Sequence, residues 1–191
     1  MKKRLSLLLS ALAVVLFFPI ESSAYILYGH KLTNGVGNWG KNRQYYYLHD
    51  SANQYKPLIK NAWNTWVNSS SILSTPISFR ESTNKKASVV EFFSINNPSK
   101  KYAGMTYFYR YKEEVEPEKS NWGWTEIELN QAELKYIGET DQQGTIAHEI
   151  GHAMGLAHNG NEFSVMCQFA YGRKTSRPLL DDYKGINAIY N

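Results

Sequence analysis

The chain has 191 residues, and its 21 Lys and Arg against 17 Asp and Glu give a formal net charge of +4 at pH 7. This length suits one domain with a hydrophobic core and is short for two. The basic residues form no block interleaved with aromatic side chains, so we expect no nucleic-acid partner. The single cysteine, Cys167, excludes a disulfide within the chain, so the fold must be stabilised by packing.

The first 24 residues have the pattern of a secretory signal peptide. Basic residues at positions 2–4 precede an almost wholly apolar run over 5–20, and small residues lead to Ala24. The apolar run is shorter than the roughly 20 residues of a membrane-spanning helix. We therefore predict cleavage after Ala24, secretion to the extracellular space, and no stable membrane association afterwards. Loss of three basic residues and of Glu21 would lower the net charge from +4 to about +2.

The next elements follow from composition and hydrophobic periodicity. Residues 25–40 are rich in glycine and asparagine and are predicted to be a lead-in outside the core, followed by one domain over 41–191. Residues 44–48 are dense in aromatic side chains and are predicted to form the first strand. Apolar residues then recur at spacings of three, four and seven, which predicts a helix over 55–68.

Four further strands are predicted from alternating or continuous apolar runs, at 77–81, 88–93, 105–111 and 125–129. The more continuous apolarity of 88–93 suits an interior strand, buried on both faces. Helices that alternate with strands early in the chain favour a mixed α/β (α+β) fold. We predict a twisted, mostly parallel sheet of about five strands with three helices.

The most specific motif is H-E-x-x-H-x-x-G-x-x-H, formed by His148, Glu149, His152, Gly155 and His158. Residues i and i+4 of a helix share one face, so His148 and His152 can bind the same ion. Glu149 projects from the neighbouring edge of that face. Gly155 suits a left-handed turn that ends the helix and brings His158 back towards the ion.

Three imidazoles leave the fourth position of a tetrahedral Zn²⁺ open for water, which is typical of a catalytic site. Zinc lowers the pKa of a bound water to roughly 7, and Glu149 is then the candidate general base. The alternative, unrelated histidines on a surface helix, would require three coincidences of spacing and is rejected. The helix is predicted to begin with a capping box of Thr140 and Gln143.

This motif resembles the zinc-binding consensus of the metzincin metallopeptidases. Met166 lies eight residues after His158, a spacing similar to that of the methionine turn in the matrixins, the matrix-metalloprotease branch. The segment 179–190, with its paired aspartates and its penultimate Tyr190, resembles the last helix of matrixins. The resemblance covers about the last 50 residues. It implies a metzincin-like zincin fold and an endopeptidase with one catalytic Zn²⁺ ion.

The resemblance also implies roles for residues outside the motif. Met166 would form a soft floor beneath the metal without being a ligand, and either Asp181 or Asp182 would tie the last helix to the methionine turn. A peptide substrate would add as an antiparallel strand along an edge at 104–109, and a pocket beside His148 would select side chains. The candidate substrate-binding residues are Gly104, Met105, Thr106, Tyr107, Gln168, Phe169, Ala170 and Tyr171. The alternative for each is a strand or loop residue without substrate contact.

The chain departs from the matrixin pattern in several places. We expect no cysteine-switch pro-segment between the signal and the first strand. Only His30 and His49 precede the motif, so a second, structural zinc is not expected, and a calcium site stays unassigned. Cys167 and Gln168 replace the usual Tyr-Pro after the methionine, and no tyrosine two residues on supplies an astacin-type ligand. Cys167 is interpreted as a small buried side chain rather than a metal-regulating thiol.

The sequence therefore predicts a secreted, monomeric, zinc-dependent endopeptidase that acts on a protein or peptide substrate. Two alternatives stay open. One is a zinc hydrolase of a non-protein amide, and the other is a catalytically silent binding protein with the same fold. The presence of Glu149 argues against the second alternative, because a silent protein has no need of a general base.

Overall fold

The computed structural model describes residues 25–191, so the predicted signal peptide lies outside the described residues. Within this range, no helix combines the length and apolarity needed to cross a membrane.

Residues 25–191 form a six-stranded sheet, a two-stranded sheet and four α-helices, linked by short 3₁₀ turns. In chain order the elements are β1 (Ile26–Leu27), β2 (Gln44–Leu48), α1 (Lys56–Val67), β3 (Phe79–Glu81), β4 (Val90–Ile95), β5 (Gly104–Arg110), β6 (Glu113–Glu114), β7 (Trp124–Asn130), α2 (Gln131–Leu134), α3 (Glu139–Ala153), β8 (Leu156–Ala157) and α4 (Leu180–Tyr190).

The large sheet has the strand order β3-β2-β4-β7-β5-β6. Strands β2, β3, β4 and β7 are parallel, whereas β5 runs antiparallel to both β7 and β6. The predicted fold class, a mixed fold with a mostly parallel sheet, is confirmed. Strand β6 and helix α2 were not predicted. They have two and four residues respectively, which are too few to show a hydrophobic period.

The core lies between the sheet and the helices α1 and α3, which pack against each other. The apolar stripe of α1 is buried as predicted, and Trp66 is fully buried with its indole Nε1 donating to the carbonyl of Ala147, 2.9 Å away. Trp63 stacks on Tyr46 and on Phe79 of the sheet, with ring centroids 5.2 and 4.4 Å apart. These aromatic contacts fix α3 and α1 on one face of the sheet.

The segment 25–40 is more tightly integrated than predicted. Strand β1 pairs antiparallel with β8, directly after α3, and Leu32 and Val36 belong to the core with at most 1% of their surface exposed. The prediction of a lead-in outside the core is wrong for these residues. Pairing across 130 residues leaves no local periodicity, so the sequence pattern could not indicate it.

Helix α3 begins without the predicted capping box. Its N-cap is Gly138, with no side-chain cap, and the backbone N–H of Asp141 donates to the Gly138 carbonyl at 2.9 Å. Thr140 lies inside the first turn, where its side chain cannot cap. Glu139 and Asp141 nevertheless place two carboxylates at the positive end of the helix dipole.

The predicted turn at the end of α3 is confirmed. Gly155 has a φ of +108°, and its N–H donates to the carbonyl of His152 at 2.9 Å. A Cβ at this position would also lie 3.0 Å from Cδ1 of Ile189 in α4. Glycine is therefore required both by the backbone conformation and by the close approach of α4. The chain then reverses through β8 towards His158.

Helix α4 closes the lower part of the molecule. Tyr183 and Ile186 are buried, and the Tyr183 hydroxyl donates to the carbonyl of Thr65 in α1 at 2.6 Å. The hydroxyl of Tyr190 donates to the carbonyl of Met154 at 3.0 Å and accepts from the N–H of Leu32 at 3.2 Å. This helix therefore links α1, the end of α3 and the N-terminal segment.

Candidate active site

The three histidines of the motif converge as predicted. The Nε2 atoms of His148, His152 and His158 lie 3.0, 3.0 and 3.1 Å apart in pairs. His148 and His152 are buried on α3, whereas His158 follows β8 and is exposed. Within residues 25–191 these side chains form a group able to hold a metal ion.

The hydrogen bonds of the Nδ1 atoms, which point away from the centre, show which ring nitrogens are free to bind a metal ion. Nδ1 of His148 lies 2.7 Å from the carbonyl of Val165, and Nδ1 of His152 lies 2.8 Å from that of Leu156. Because a carbonyl only accepts, each Nδ1 carries the proton and each Nε2 presents a lone pair to the centre. Burial, followed by the neighbouring imidazole, lowers the pKa of His148 well below its usual range and that of His152 to about 3. Neutral nitrogen ligands of this kind fit Zn²⁺.

Tyr28 is a part of this site that the sequence did not indicate. Its hydroxyl lies 2.8 Å from Nδ1 of His152, and the two ring centroids are 5.7 Å apart. The position is 124 residues before His152 and reaches the site only because β1 pairs with β8. Tyr28 therefore supports the outer side of His152 together with the Leu156 carbonyl.

Glu149 lies beside the histidines with its carboxylate held in a fixed position. The side chain is 5% exposed, and Oε2 accepts a hydrogen bond from the Thr106 hydroxyl at 2.8 Å. Burial raises the pKa of the Glu149 carboxyl to about 7, against the opposing effects of the Thr106 hydrogen bond and of the positive charge on Arg173. The predicted role of Thr106 was main-chain contact with substrate, so its side-chain bond to Glu149 is an additional finding.

Gly104 allows β5 to pass directly over Glu149. A Cβ at Gly104 would lie 2.8 Å from Cγ and 2.9 Å from Oε1 of Glu149. Contacts below 3.0 Å require something to shift, and both groups are confined by the sheet and by α3. A glycine at this position is therefore what lets the strand and the carboxylate occupy adjacent places.

Strand β5, predicted as the substrate-binding edge over 104–109, has a free edge beside the site only in its first part, up to Tyr107. The carbonyls of Ala103 and Tyr109 accept hydrogen bonds from the β7 side, whereas that of Phe108 accepts from Val115 on the opposite side. Because the bonding direction alternates along a strand, the main chain of Thr106 and Gly104 faces the same edge as Phe108. Strand β6 pairs with Tyr109 and Arg110, and Val115 donates to the Phe108 carbonyl, so the edge beyond Tyr107 is covered.

A cavity of about 460 Å³ opens at this edge and contains the histidines and Glu149. Of the predicted substrate-binding residues, those that line it are Gly104, Met105, Thr106, Gln168, Phe169 and Ala170. Tyr107 and Tyr171 do not line it: the Tyr107 hydroxyl pairs with that of Tyr102 at 3.0 Å, and the Tyr171 side chain is 75% exposed. Further lining residues that were not predicted include Tyr28, Lys101, Glu133, Thr145 and Arg173.

Met166, the methionine of the predicted turn, contacts the histidine-bearing helix α3. It is 1% exposed, and a Cβ at Gly151, between His148 and His152, would overlap its sulfur. The methionine therefore packs directly against the helix between the two histidines. This contact explains the glycine at position 151, for which no local pattern provides a reason.

The structure decides between the two aspartates that the sequence left open. Asp182 is 1% exposed, and its carboxylate accepts hydrogen bonds from the Ser164 hydroxyl, the Val165 N–H at 3.1 Å and the Leu179 N–H at 2.8 Å. Asp181 is half-buried and accepts one bond, from the Asn161 side-chain amide at 3.3 Å. Asp182 is therefore the residue that joins α4 to the methionine turn.

Cys167 has the surroundings of a structural side chain. It is 1% exposed, and its Sγ faces the main-chain carbonyl of Gln168 at 3.6 Å. Burial raises the pKa of the thiol, which favours the unreactive protonated form. The interpretation of Cys167 as a buried small residue fits these surroundings.

Comparison with known proteins assigns the chain to a family. The matrixin family model of metallopeptidases matches residues 38–191, and the chain therefore belongs to the matrixin family. A "Putative matrix metalloproteinase" of Trichoplusia ni ascovirus 2c is 36% identical over 56 residues, which are 29% of this chain and 11% of the viral protein. The match thus spans about a tenth of that relative. The resemblance to matrixins inferred from the sequence is confirmed, and the family places the chain among the metallopeptidases.

One solved structure shows a similar fold at low identity. A chain in the GM1-bound form of the ECX AB5 holotoxin is 15% identical with a TM-score of 0.57, covering 87% of this chain and 88% of that one. Two structures of myroilysin are 16% and 17% identical, each with a TM-score of 0.37, and cover 61% and 73% of this chain and 42% and 57% of theirs. At this identity the holotoxin chain shows a shared fold and carries no statement about activity.

Proposed function

We propose that the chain is a secreted zinc-dependent endopeptidase with Glu149 as its general base. The observation that carries this proposal is the buried Glu149 carboxylate, held by Thr106 next to three converging imidazoles, at the free edge of β5. The family supplies the class of enzyme, and this arrangement supplies the roles of the individual residues.

The Nε2 atoms of His148, His152 and His158 would hold the zinc ion. When bound there, zinc supplies a Lewis acid that polarises the scissile carbonyl and lowers the pKa of water to roughly 7. The carbonyls of Val165 and Leu156 keep the protons of two imidazoles on Nδ1, so that the metal-facing nitrogens stay unprotonated.

Glu149 moves the proton. Its Oε2 is occupied by the Thr106 hydroxyl, which leaves Oε1 to accept a proton from the attacking water and to deliver it to the nitrogen of the leaving amine. Burial raises the pKa of this carboxyl above its ordinary value, which favours acceptance of the proton from water. This positioned carboxylate favours an enzyme over a silent binding protein.

The free edge of β5 would bind the substrate backbone. The N–H and C=O groups of Gly104 and Thr106 face this edge, and an extended peptide can pair with them as an added antiparallel strand. The cavity beside His148 then receives a substrate side chain, with Phe169 and Ala170 in its wall. An open groove of this kind accepts the middle of a polypeptide, which is what an endopeptidase requires.

Secretion and a monomeric state complete the proposal. Secretion is supported by the signal-peptide pattern of residues 1–24. Intact-mass analysis of protein recovered from a culture medium should give a chain that begins at Tyr25. A mature chain that retains residues 1–24 would contradict export by cleavage.

Metal removal is expected to abolish activity. The protein should contain about one zinc per chain, because the site offers three nitrogen ligands, and should cleave casein or a quenched fluorescent peptide. Treatment with 1,10-phenanthroline should remove the zinc and the cleavage together, and added Zn²⁺ should restore both. Zinc content is measured by plasma mass spectrometry. Full cleavage by metal-free protein would contradict the proposal.

Gly104→Ala is expected to lower kcat/KM by about 10²-fold without loss of zinc. The added Cβ would press on Cγ and Oε1 of Glu149, and displacement of a reacting group by about 1 Å costs about 10²-fold in rate. Gly123→Ala is the matched control, since a Cβ there would meet only the Tyr109 carbonyl at an ordinary 3.8 Å. Equal rates for both variants would show that β5 does not set the position of the carboxylate.

A further inference from the structure

A buried arginine, Arg173, lines the cavity. It contacts α3 about one helical turn before His148. Arg173 is 8% exposed, and its Nη2 lies 3.3 Å from the Thr145 hydroxyl and 3.4 Å from the Asp141 carbonyl, both on α3. Thr145 is three residues before His148, and a helical turn rises about 5.4 Å. The guanidinium therefore lies in the part of the cavity next to the proposed metal site.

Arg173 forms no salt bridge in the described part of the chain, although the charges of Asp141 and Glu149 act on its guanidinium. No carboxylate oxygen of residues 25–191 is paired with it within 4.0 Å, and both of its hydrogen bonds there come from Nη2. The other charged residues of the cavity have partners: Lys101 pairs with Glu133 at 3.8 Å, and Glu149 accepts from Thr106. A buried guanidinium without a direct carboxylate contact is costly, and burial lowers the pKa of Arg173 by more than the charges of Asp141 and Glu149 raise it.

The local sequence makes room for this cation and orients it. A Cβ at Gly144 would lie 3.0 Å from Nη2 of Arg173, so the absence of a side chain lets the guanidinium lie against the helix. The Phe169 ring is a second neighbour, with its centroid 5.8 Å from Cζ. The contacts with the helix and with the aromatic ring restrict the planar guanidinium, which favours binding of a planar anion.

We propose that Arg173 is a specificity-determining residue that binds a carboxylate of the substrate next to the scissile bond. The inference rests on the proposed endopeptidase function and adds the substrate class, acidic peptides. Nε and Nη1 carry the N–H groups that α3 does not use, and either can donate a charge-assisted hydrogen bond to a carboxylate oxygen. A bidentate pair would use Nη1 and Nη2, with a carboxylate oxygen replacing the Asp141 carbonyl, which lies 3.4 Å from Nη2. The carboxylate belongs either to a glutamate or aspartate side chain or to the C-terminus of a short substrate. The longer glutamate reaches one helical turn better than aspartate.

A structural role for Arg173 makes a different prediction. If the side chain only ties its loop to α3 through Thr145 and Asp141, its loss should reduce the cleavage of all peptides by the same factor. If it binds the substrate, the loss should depend on the charge of the peptide. The ratio of kcat/KM between matched acidic and neutral peptides separates the two roles.

The experiment uses a set of C-terminally amidated, quenched fluorescent peptides. Each contains a single glutamate at one of three positions on either side of the cleaved bond, and each has a glutamine counterpart. For the zinc-loaded wild-type protein we expect kcat/KM to be about 10- to 100-fold higher for glutamate at one position, as for a charge-assisted hydrogen-bonded pair. One neutral peptide is also tested with a free C-terminus. Faster cleavage of this peptide than of its amidated form would identify the terminal carboxylate as the group that is bound.

Variants assign the preference to Arg173. Arg173→Leu should bring the ratio of kcat/KM between the glutamate and glutamine peptides to about 1. Arg173→Lys should retain part of this preference, since a lysine keeps the positive charge and loses the planar set of guanidinium donors. Lys174→Gln is the matched control, because it removes a neighbouring exposed cation that pairs with Glu162 at 2.7 Å outside the cavity. Lys101→Gln tests the other cation of the cavity. A ratio that survives Arg173→Leu, or that is lost with Lys101→Gln, would overturn the assignment.

A binding measurement separates this inference from the proposed function. The dissociation constants of the same peptides are measured by fluorescence anisotropy on the Glu149→Gln variant, which needs no turnover. Tighter binding of the acidic peptide that depends on Arg173, without cleavage by the wild-type protein, would support the inference and overturn the endopeptidase proposal. Equal rates and equal binding of acidic and neutral peptides by the wild-type protein would overturn the inference, whether or not Arg173→Leu folds.

Discussion

Replacement of Glu149 by alanine is expected to lower kcat/KM by about 10³-fold, within the 10² to 10⁴ that a general base contributes. The carboxylate is the proposed proton acceptor, and alanine leaves no group in reach of the attacking water. The zinc content should stay at about one per chain, because Glu149 supplies none of the three converging nitrogens. The measurement combines peptide cleavage with metal analysis of the same sample.

Glu139→Ala is the control for Glu149→Ala. Glu139 lies in the first turn of the same helix, is exposed, and is remote from the histidines. Its replacement should leave kcat/KM within about twofold, since surface substitutions of this kind are nearly neutral. If Glu149→Ala kept full activity with full zinc content, the assignment of the general base would be wrong.

Asp182→Ala is expected to destabilise the fold by about 3 kcal/mol. The change leaves three donors, on Ser164, Val165 and Leu179, without their buried acceptor, and an unsatisfied buried group costs about 1–3 kcal/mol. For a chain of this size the loss corresponds to a Tm lower by about 6–12 °C. Because Val165 also accepts from His148, the variant should bind zinc more weakly.

Asp181→Ala provides the matched comparison one residue away. Asp181 shares the first turn of α4 but accepts only a 3.3 Å bond from Asn161, so its loss should cost about 1 kcal/mol or less. Thermal unfolding followed by circular dichroism, with and without excess Zn²⁺, measures both variants. Equal destabilisation by the two substitutions would show that α4 is not anchored through the Asp182 carboxylate.

Much of the secondary structure followed from local patterns, with errors that have a physical origin. The helix predicted over 55–68 is Lys56–Val67, because its apolar stripe has the period of a helix. The strand predicted over 77–81 is only Phe79–Glu81, since its length is set by pairing with β2 and not by its own alternation. Strand ends depend on partners elsewhere in the chain, which a local pattern does not contain.

The sequence by itself determined the metal-binding histidines and Glu149 as candidates. His152 lies four residues after His148 and Glu149 lies one residue after it, so the helix sets the relative directions of the three side chains. Gly155 then sets the turn to His158. These relations are local, so no knowledge of the fold is needed to predict them. The family resemblance followed from the same residues.

Only the tertiary structure decided which residues surround that motif. Tyr28 reaches His152 through the pairing of β1 with β8, and Thr106 reaches Glu149 through the packing of β5 on α3. The choice of Asp182 over Asp181 depended on which side of α4 faces the methionine turn, and the cavity position of Arg173 depended on a side-chain-free Gly144. Each contact joins residues at least 17 positions apart, where the sequence pattern carries no distance information and packing alone sets the geometry.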